Sequence, residues 1–362
     1  MNVHVPKKQL ADSLGHVERI IPSKSSNPGL SLLRVGLAES ALILSGSNME
    51  IDIEARVLAD VTGEGNFALP AHMFSQIIRS LPGETVSLAF GGSEVDISSD
   101  SYDTRLRLED VAAIPAVAFP DSYHGEIEAE KLVRVLSSIR YAAAVAEYQA
   151  IFRGVKLELN DSRIRAVSTD GFRLAYYHLD ESSGLDGEVV APAKSVDELV
   201  RLLVEDPVRL ELAEGQLSLQ SGPYRTNVKL MEGTFPDYER VIPSTFPLSV
   251  TVNAEVLSEA VSRVALVSDK AANNRVDLFI KGGLLQITAE GGYGRSQEAL
   301  EVSQEGTDPE IALAYNAKYL VDALAPVAGN LRISFSGTTT PSVMADLGDP
   351  SYFAMVVPLR TG

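Results

Sequence analysis

The feature that most constrains this chain is a pattern that returns three times at an interval of about 122 residues. The alternating segments Val86-Ser-Leu-Ala-Phe90, Val208-Arg-Leu-Glu-Leu212 and Leu331-Arg-Ile-Ser-Phe335 stand 122 and 123 residues apart. Leu10, Leu132 and Leu257 occupy matching places in helix-like runs, at steps of 122 and 125. Second helix-like runs follow Leu69-Pro70, Ala191-Pro192 and Ala314-Tyr315, again at steps of 122 and 123. Solenoid units run to roughly 20–50 residues, so copies of this length are whole domains, each large enough to bury a core. The 362 residues divide into domains 1–120, 121–245 and 246–362. The joining segments Val111–Gly125 and Glu232–Pro247 carry several prolines, and both contain Phe-Pro-Asp, at Phe119–Asp121 and Phe235–Asp237.

Each copy opens on a short alternating strand and an amphipathic helix, for example Val3 and Val5 before Leu10, Leu14 and Val17. Strand pairs follow, such as Gly154–Leu159 with Ile164–Val167 across Asn160-Asp161. Second helices are expected over Ala71–Leu81, Ala193–Val204 and Asn316–Val327, and alternating strands close each copy. The fold class is therefore α+β: three tandem copies of one domain, each with two helices on antiparallel sheet and about eight strands.

The 49 acidic and 31 basic residues give a formal charge of −18, unlike a protein that grips nucleic acid through phosphates. Cysteine is absent, which removes disulfides and thiolate sites. No apolar run approaches the roughly 20 residues that span a bilayer, and the start lacks a signal-peptide pattern, so a cytoplasmic location is expected. Basic residues gather on the helices: Lys7, Lys8, His16 and Arg19 on the first, Lys131 and Arg134 on another, Lys194 and Arg201 on a third. On charge alone, two readings stay open: ordinary solvated helix faces, or a positive lining within a negative exterior.

No catalytic constellation is present. The histidines His4, His16, His72, His124 and His178 form no i, i+3 or i+4 pair that would hold a metal, and no cofactor motif appears. Gly291-Gly292-Tyr293-Gly294 lies between alternating strands, so it reads as a hairpin turn and not a phosphate loop. The copies differ most at Thr169-Asp-Gly-Phe-Arg-Leu174, which is either a plain turn or an apolar surface with a guanidinium. Met355-Val-Val-Pro-Leu-Arg360 is apolar almost to the end of the chain and must pack or be offered to a partner.

These last motifs, with Glu232-Gly-Thr-Phe-Pro-Asp-Tyr-Glu-Arg-Val-Ile-Pro243 and Asn316 with Tyr319, resemble the beta subunit of bacterial DNA polymerase III, the sliding clamp family. The resemblance covers the whole chain. It implies a head-to-tail homodimer, a ring of six domains around duplex DNA with helices lining the hole. It also implies a cleft between the second and third domains that takes short linear, Gln-Leu-x-Leu-Phe-like peptides of polymerases, clamp loader and repair proteins. Carried over by motif, that cleft comprises Thr169, Gly171, Phe172, Arg173 and Leu174, then Pro236, Arg240 and Val241. Asn316, Tyr319, Ser342, Met355, Val357, Pro358, Leu359 and Arg360 complete it. Phe172 departs from the family, where histidine is common.

The resemblance also implies a dimer contact of Arg105, Leu106, Arg107 and Leu108 against Leu266, Val267, Glu298 and Glu301, and DNA contacts at Lys24, Arg134, Lys194 and Arg201. No catalytic residue, metal or cofactor is expected. A ring that holds DNA by topology tolerates a net charge of −18, because it needs few phosphate contacts.

Overall fold

The computed structural model describes residues 1–146 and 150–360; Thr361 and Gly362, at the end of the third expected domain, lie outside the described residues. Six α-helices form among them: α1 (Lys7–Ile20), α2 (Ala71–Ser80), α3 (Ala129–Ile139), α4 (Ala193–Leu202), α5 (Ala254–Val264) and α6 (Ala317–Leu324). Each copy thus carries two, as its periodicity predicts. Leu10, Leu14 and Val17 are buried along α1, and Phe74 and Ile78 along α2, with the small Ser13 and Ser75 buried beside them and Asp12 and Gln76 exposed. Pro6 and Pro70 open α1 and α2, their φ already near −60°. Asn253 and Asn316 open α5 and α6 with side-chain oxygens that accept from the amides of Val256 and Lys318.

The second helices end earlier than their apolar periodicity. Leu81 is buried, yet its backbone has turned extended at ψ 142°. Pro82 follows, and a residue before proline is pushed out of the helical region. Pro326, two residues beyond the end of α6, has no amide to continue the helix, although Ala325 before it still has helical angles.

The chain divides into two compact units, one of residues 1–132, 183–185 and 194–230, the other of residues 133–182, 186–193 and 231–362. The first contains an eight-stranded antiparallel sheet in the order 125–127, 208–213, 216–221, 224–229, 51–58, 41–47, 32–38, 65–70. Its central joint is the pairing of Tyr224–Lys229 with Ile51–Leu58, so one sheet contains strands of the first and second copies. A five-stranded sheet completes this unit and ends on the edge strand Tyr102–Arg107.

The second unit repeats the design. Its nine-stranded sheet joins Arg173–Leu179 of the second copy to Tyr352–Val356 of the third. Its four-stranded sheet ends on the edge strand Gly294–Glu301. Gly291 pairs with Gly294 around a two-residue loop, and Tyr293 is fully in solvent, so this segment is the hairpin turn that its flanking alternation predicts.

Candidate functional site

The distinctive hexapeptide of the second copy forms a tight turn between two strands of the nine-stranded sheet. Thr169 Oγ1 donates to the Arg173 carbonyl at 2.6 Å and accepts from the Gly171 amide at 3.1 Å. Asp170 accepts from the amides of Phe172 and Arg173, and Gly171 adopts φ +87°, a left-handed conformation that suits glycine. The turn thereby pushes Phe172 out, 54% exposed, and draws Arg173 in.

The Arg173 guanidinium is therefore not the surface handle that the hexapeptide resembles in sequence. Its Nε lies 3.0 Å from Asp170, its NH1 lies 2.5 Å from Asp322 on α6, and it sits over the Tyr319 ring at 4.4 Å. Both carboxylates are shielded, so this is a buried charge cluster that pins the turn to α6. Behind it the Tyr141 and Tyr352 hydroxyls meet at 2.9 Å, and burial pushes both phenols well above their ordinary range.

The apolar tail packs. The Val357 amide donates to the Phe172 carbonyl at 2.8 Å and the Leu359 amide to the Ala314 carbonyl at 2.7 Å. Pro358 is buried, and Ser342 is buried against the Tyr315 hydroxyl. Turn, tail and the segment after Phe235 enclose a pocket of about 200 Å³. Thr169, Gly171, Arg173, Leu174, Pro236, Val241, Met355 and Val357 line it, as their motifs imply. Leu174, Tyr238 and Met355 of its lining belong to a buried apolar cluster with Val167, Val190 and Phe235.

Phe152, Asp237, Tyr238 and Pro341 line the pocket too. Asp237 and Tyr238 stand inside the quoted Glu232–Pro243 motif, whereas Phe152 lies in a 3-10 turn that no periodicity marks. The remaining cleft residues are not among those lining it. Phe172 is at the turn's tip, Arg240 is exposed beside Asp237, Asn316 caps α6, Tyr319 lies under Arg173, and Arg360 is exposed.

In the first unit, Arg105 reaches back to Asp96 at 2.6 Å and Glu94 at 3.4 Å on its own sheet, while Leu106 and Leu108 are half-buried and Arg107 is exposed. In the second unit, Leu266 is 82% exposed and Val267 is half-buried. Glu298 is held by Arg263 at 2.8 Å, whose hydrogen bonds keep its carboxyl below the usual range, and Glu301 is exposed on the same edge strand.

The helix cations are largely neutralised. Arg19 and Arg201 share Glu198, Arg79 pairs with Glu18, and Arg134 lies 3.5 Å from Asp349 and over the Tyr177 ring. Burial works to raise the Asp349 carboxyl, but hydrogen bonds from Tyr177 and Ser351 and the charge of Arg134 outweigh it and hold it low. His16 is half-buried edge-on against Tyr224, not displayed with the exposed cations. Among the described residues, Lys24 and Lys194 are exposed and have no carboxylate partner. No helix of the described residues is long and apolar enough to cross a membrane.

Repeated two-helix α+β copies joined edge to edge through shared sheets define the DNA-clamp class of fold, with an apolar pocket at one joint. Models of the N-terminal, central and C-terminal domains of the DNA polymerase III beta subunit match residues 1–118, 126–237 and 239–360. The chain is similar to the beta sliding clamp of Caulobacter vibrioides, 28% identical over 99% of this chain and 100% of that protein. It is similar also to that of Proteus mirabilis, 30% identical over 90% of each. Among solved structures it resembles a sliding clamp of Pseudomonas aeruginosa bound to griselimycin, at 26% identity, TM-score 0.93 and full coverage of both chains. The Thermotoga maritima beta subunit superposes with TM-score 0.92 at 25% identity, again over both whole chains. The chain belongs to the DNA polymerase III beta subunit family. Its function is that of a sliding clamp, a processivity factor of DNA replication and not an enzyme.

Proposed function

We propose that two copies close head to tail into a ring that encircles duplex DNA in the cytoplasm, with domains 1–120, 121–245 and 246–362. Two of the open sheet edges support this reading. Tyr102–Arg107 and Gly294–Glu301 each leave a row of backbone groups unpaired at a sheet edge, the template that another strand completes. Joining the first edge of one copy to the second edge of its partner pairs both of these edges in each copy by a two-fold. Arg105, Leu106, Arg107 and Leu108 then meet Leu266, Val267, Glu298 and Glu301, apolar at the centre and charged at the rim. Lys24, Arg134, Lys194 and Arg201 touch phosphates lightly, since half of them are already paired within the chain.

The pocket of the second unit takes short linear segments of DNA polymerases, clamp loader and repair proteins. The observation that carries this is its apolar floor of Leu174, Tyr238 and Met355 beside a turn fixed by the Arg173 charge cluster. Burying each aliphatic or aromatic side chain of an extended peptide there contributes about 1.5–3 kcal/mol. The ring is tested by loading the protein on nicked circular duplex and then cutting the circle. Retention on the circle and release on linearisation is expected. Equal retention on both forms would reject topological binding.

A further inference from the structure

The two joints between copies share a register but not a chemistry. In the first unit Tyr224 pairs with Ala55, and in the second Tyr352 pairs with Tyr177. One residue along, the second joint sets Phe353 opposite Tyr176, rings stacked at 4.6 Å. The first joint sets Arg225 opposite Glu54, with Arg225 Nε 2.8 Å from the carboxylate. Tyr224 packs against His16 of α1, and Ile53, Ala55 and Val57 are buried. Arg225, Glu54 and Arg56 therefore project from the opposite sheet face, away from α1. The linker with its Phe-Pro-Asp crosses that face, Phe119 under Arg225 at 4.8 Å and the Ala118 carbonyl accepting from Asn227.

A cavity of about 680 Å³ opens there, within the usual range of ligand pockets. Arg209, Gln220, Arg225 and Glu54 form one row across four neighbouring strands, and Arg56 stands two residues further along the last of them. Arg225 is committed to Glu54. Arg56 and Arg209 have no carboxylate partner among the described residues, against one uncommitted acid, Asp121, in the lining. The Tyr123 hydroxyl is buried without a hydrogen-bond partner, and burial pushes its phenol up, so it stays protonated as a donor.

We propose that this cavity is a second peptide seat, which takes an extended acidic segment of a partner protein, with carboxylates on Arg56 and Arg209. Arg209 and Arg56 are rooted on strands three spacings apart, about 14 Å across the sheet, which is about the reach of four extended residues. Duplex DNA is disfavoured, because the face is the one turned away from α1. The seat shares no residue with the pocket of the second unit, so it stands whether or not that pocket takes peptides.

The test is fluorescence anisotropy of a labelled hexaglutamate peptide with the full chain at low ionic strength. Saturable binding is expected, weakened at least ten-fold in the Arg56→Gln, Arg209→Gln double variant. A labelled Gln-Leu-x-Leu-Phe-like peptide should show the same affinity, bound or unbound, for variant and parent, and should not displace the acidic probe. No saturable binding, or equal binding by the double variant, overturns the proposal. So does full displacement by inorganic phosphate at equal concentration, which marks a small-anion site, or by a stoichiometric duplex oligonucleotide, which marks a nucleic-acid site.

Discussion

Replacing Arg173 by methionine keeps the apolar stem and deletes the charge, and the structure sets the size of the effect. The side chain is 7% exposed, and it touches Asp170 at 3.0 Å and Asp322 at 2.5 Å, themselves 12% and 21% exposed. Breaking a buried pair from one side costs about 3–5 kcal/mol, because the orphaned carboxylate is left without its counter-charge. Asp322 keeps Lys318 at 2.9 Å, and Asp170 keeps two backbone amides, which favours the lower end of that range. The lost guanidinium–ring contact with Tyr319 adds about 0.5–2 kcal/mol. A loss of about 3–5 kcal/mol lowers the melting temperature of a unit of this size by about 6–20 °C. Thermal unfolding followed by circular dichroism reads it, and a double-mutant cycle with Asp322→Asn isolates the pair, with a coupling of at least about 1 kcal/mol expected. In the proposed peptide binding Arg173 acts by positioning the turn, and Arg173→Lys, which keeps the charge, should recover part of the stability. A melting shift under about 2 °C with additive single effects would refute the buried-cluster reasoning and return Arg173 to the surface.

His16 and the tail give further tests. Burial first, and then the charge of Arg19, lowers the His16 pKa from 6.5. The folded state therefore disfavours its protonated form, and the stability it contributes is complete above pH 6.5 and is lost as pH falls through the lowered folded value. His16→Phe, which keeps the ring against Tyr224, should flatten the melting temperature of the first unit between pH 7.5 and 5.5, and an unchanged slope would refute the assignment. Ending the chain after Val357 removes the buried Pro358 and the Leu359–Ala314 hydrogen bond beside the pocket. Affinity for a Gln-Leu-x-Leu-Phe-like peptide should drop at least ten-fold while the dimer survives in analytical ultracentrifugation; unchanged affinity would reject the tail's role.

Much of the architecture was legible because each helix buries a stripe at its own period and each hairpin advertises its turn. Phe74 and Ile78, or Leu257 and Val261, declare their faces without help from distant residues. What could not be read was who pairs with whom across copies. Nothing local to Tyr224–Lys229 names Ile51–Leu58 as its neighbour, since antiparallel pairing across 170 residues depends on surfaces that exist only after both copies fold.

The same reasoning separates the residues that line the pocket from those that do not. Leu174, Met355 and Val357 are apolar in motifs that break the repeat, so their type and position both point to a surface. Arg173 has the residue type of a surface anchor but the environment of a core ion pair, because Asp322 reaches it from a helix 149 residues away. Composition misleads similarly on the helices. Lysines and arginines there look like a DNA lining until Glu18, Glu198 and Asp322 are seen to neutralise several of them. Of the four cations proposed to touch DNA, Lys24, in the loop after α1, and Lys194 on α4 lack a carboxylate partner, which leaves the proposed lining weakly positive. Each phosphate contact made by such a lining steepens the salt dependence by about one unit of slope, so a clamp with few contacts moves where one with many would stick.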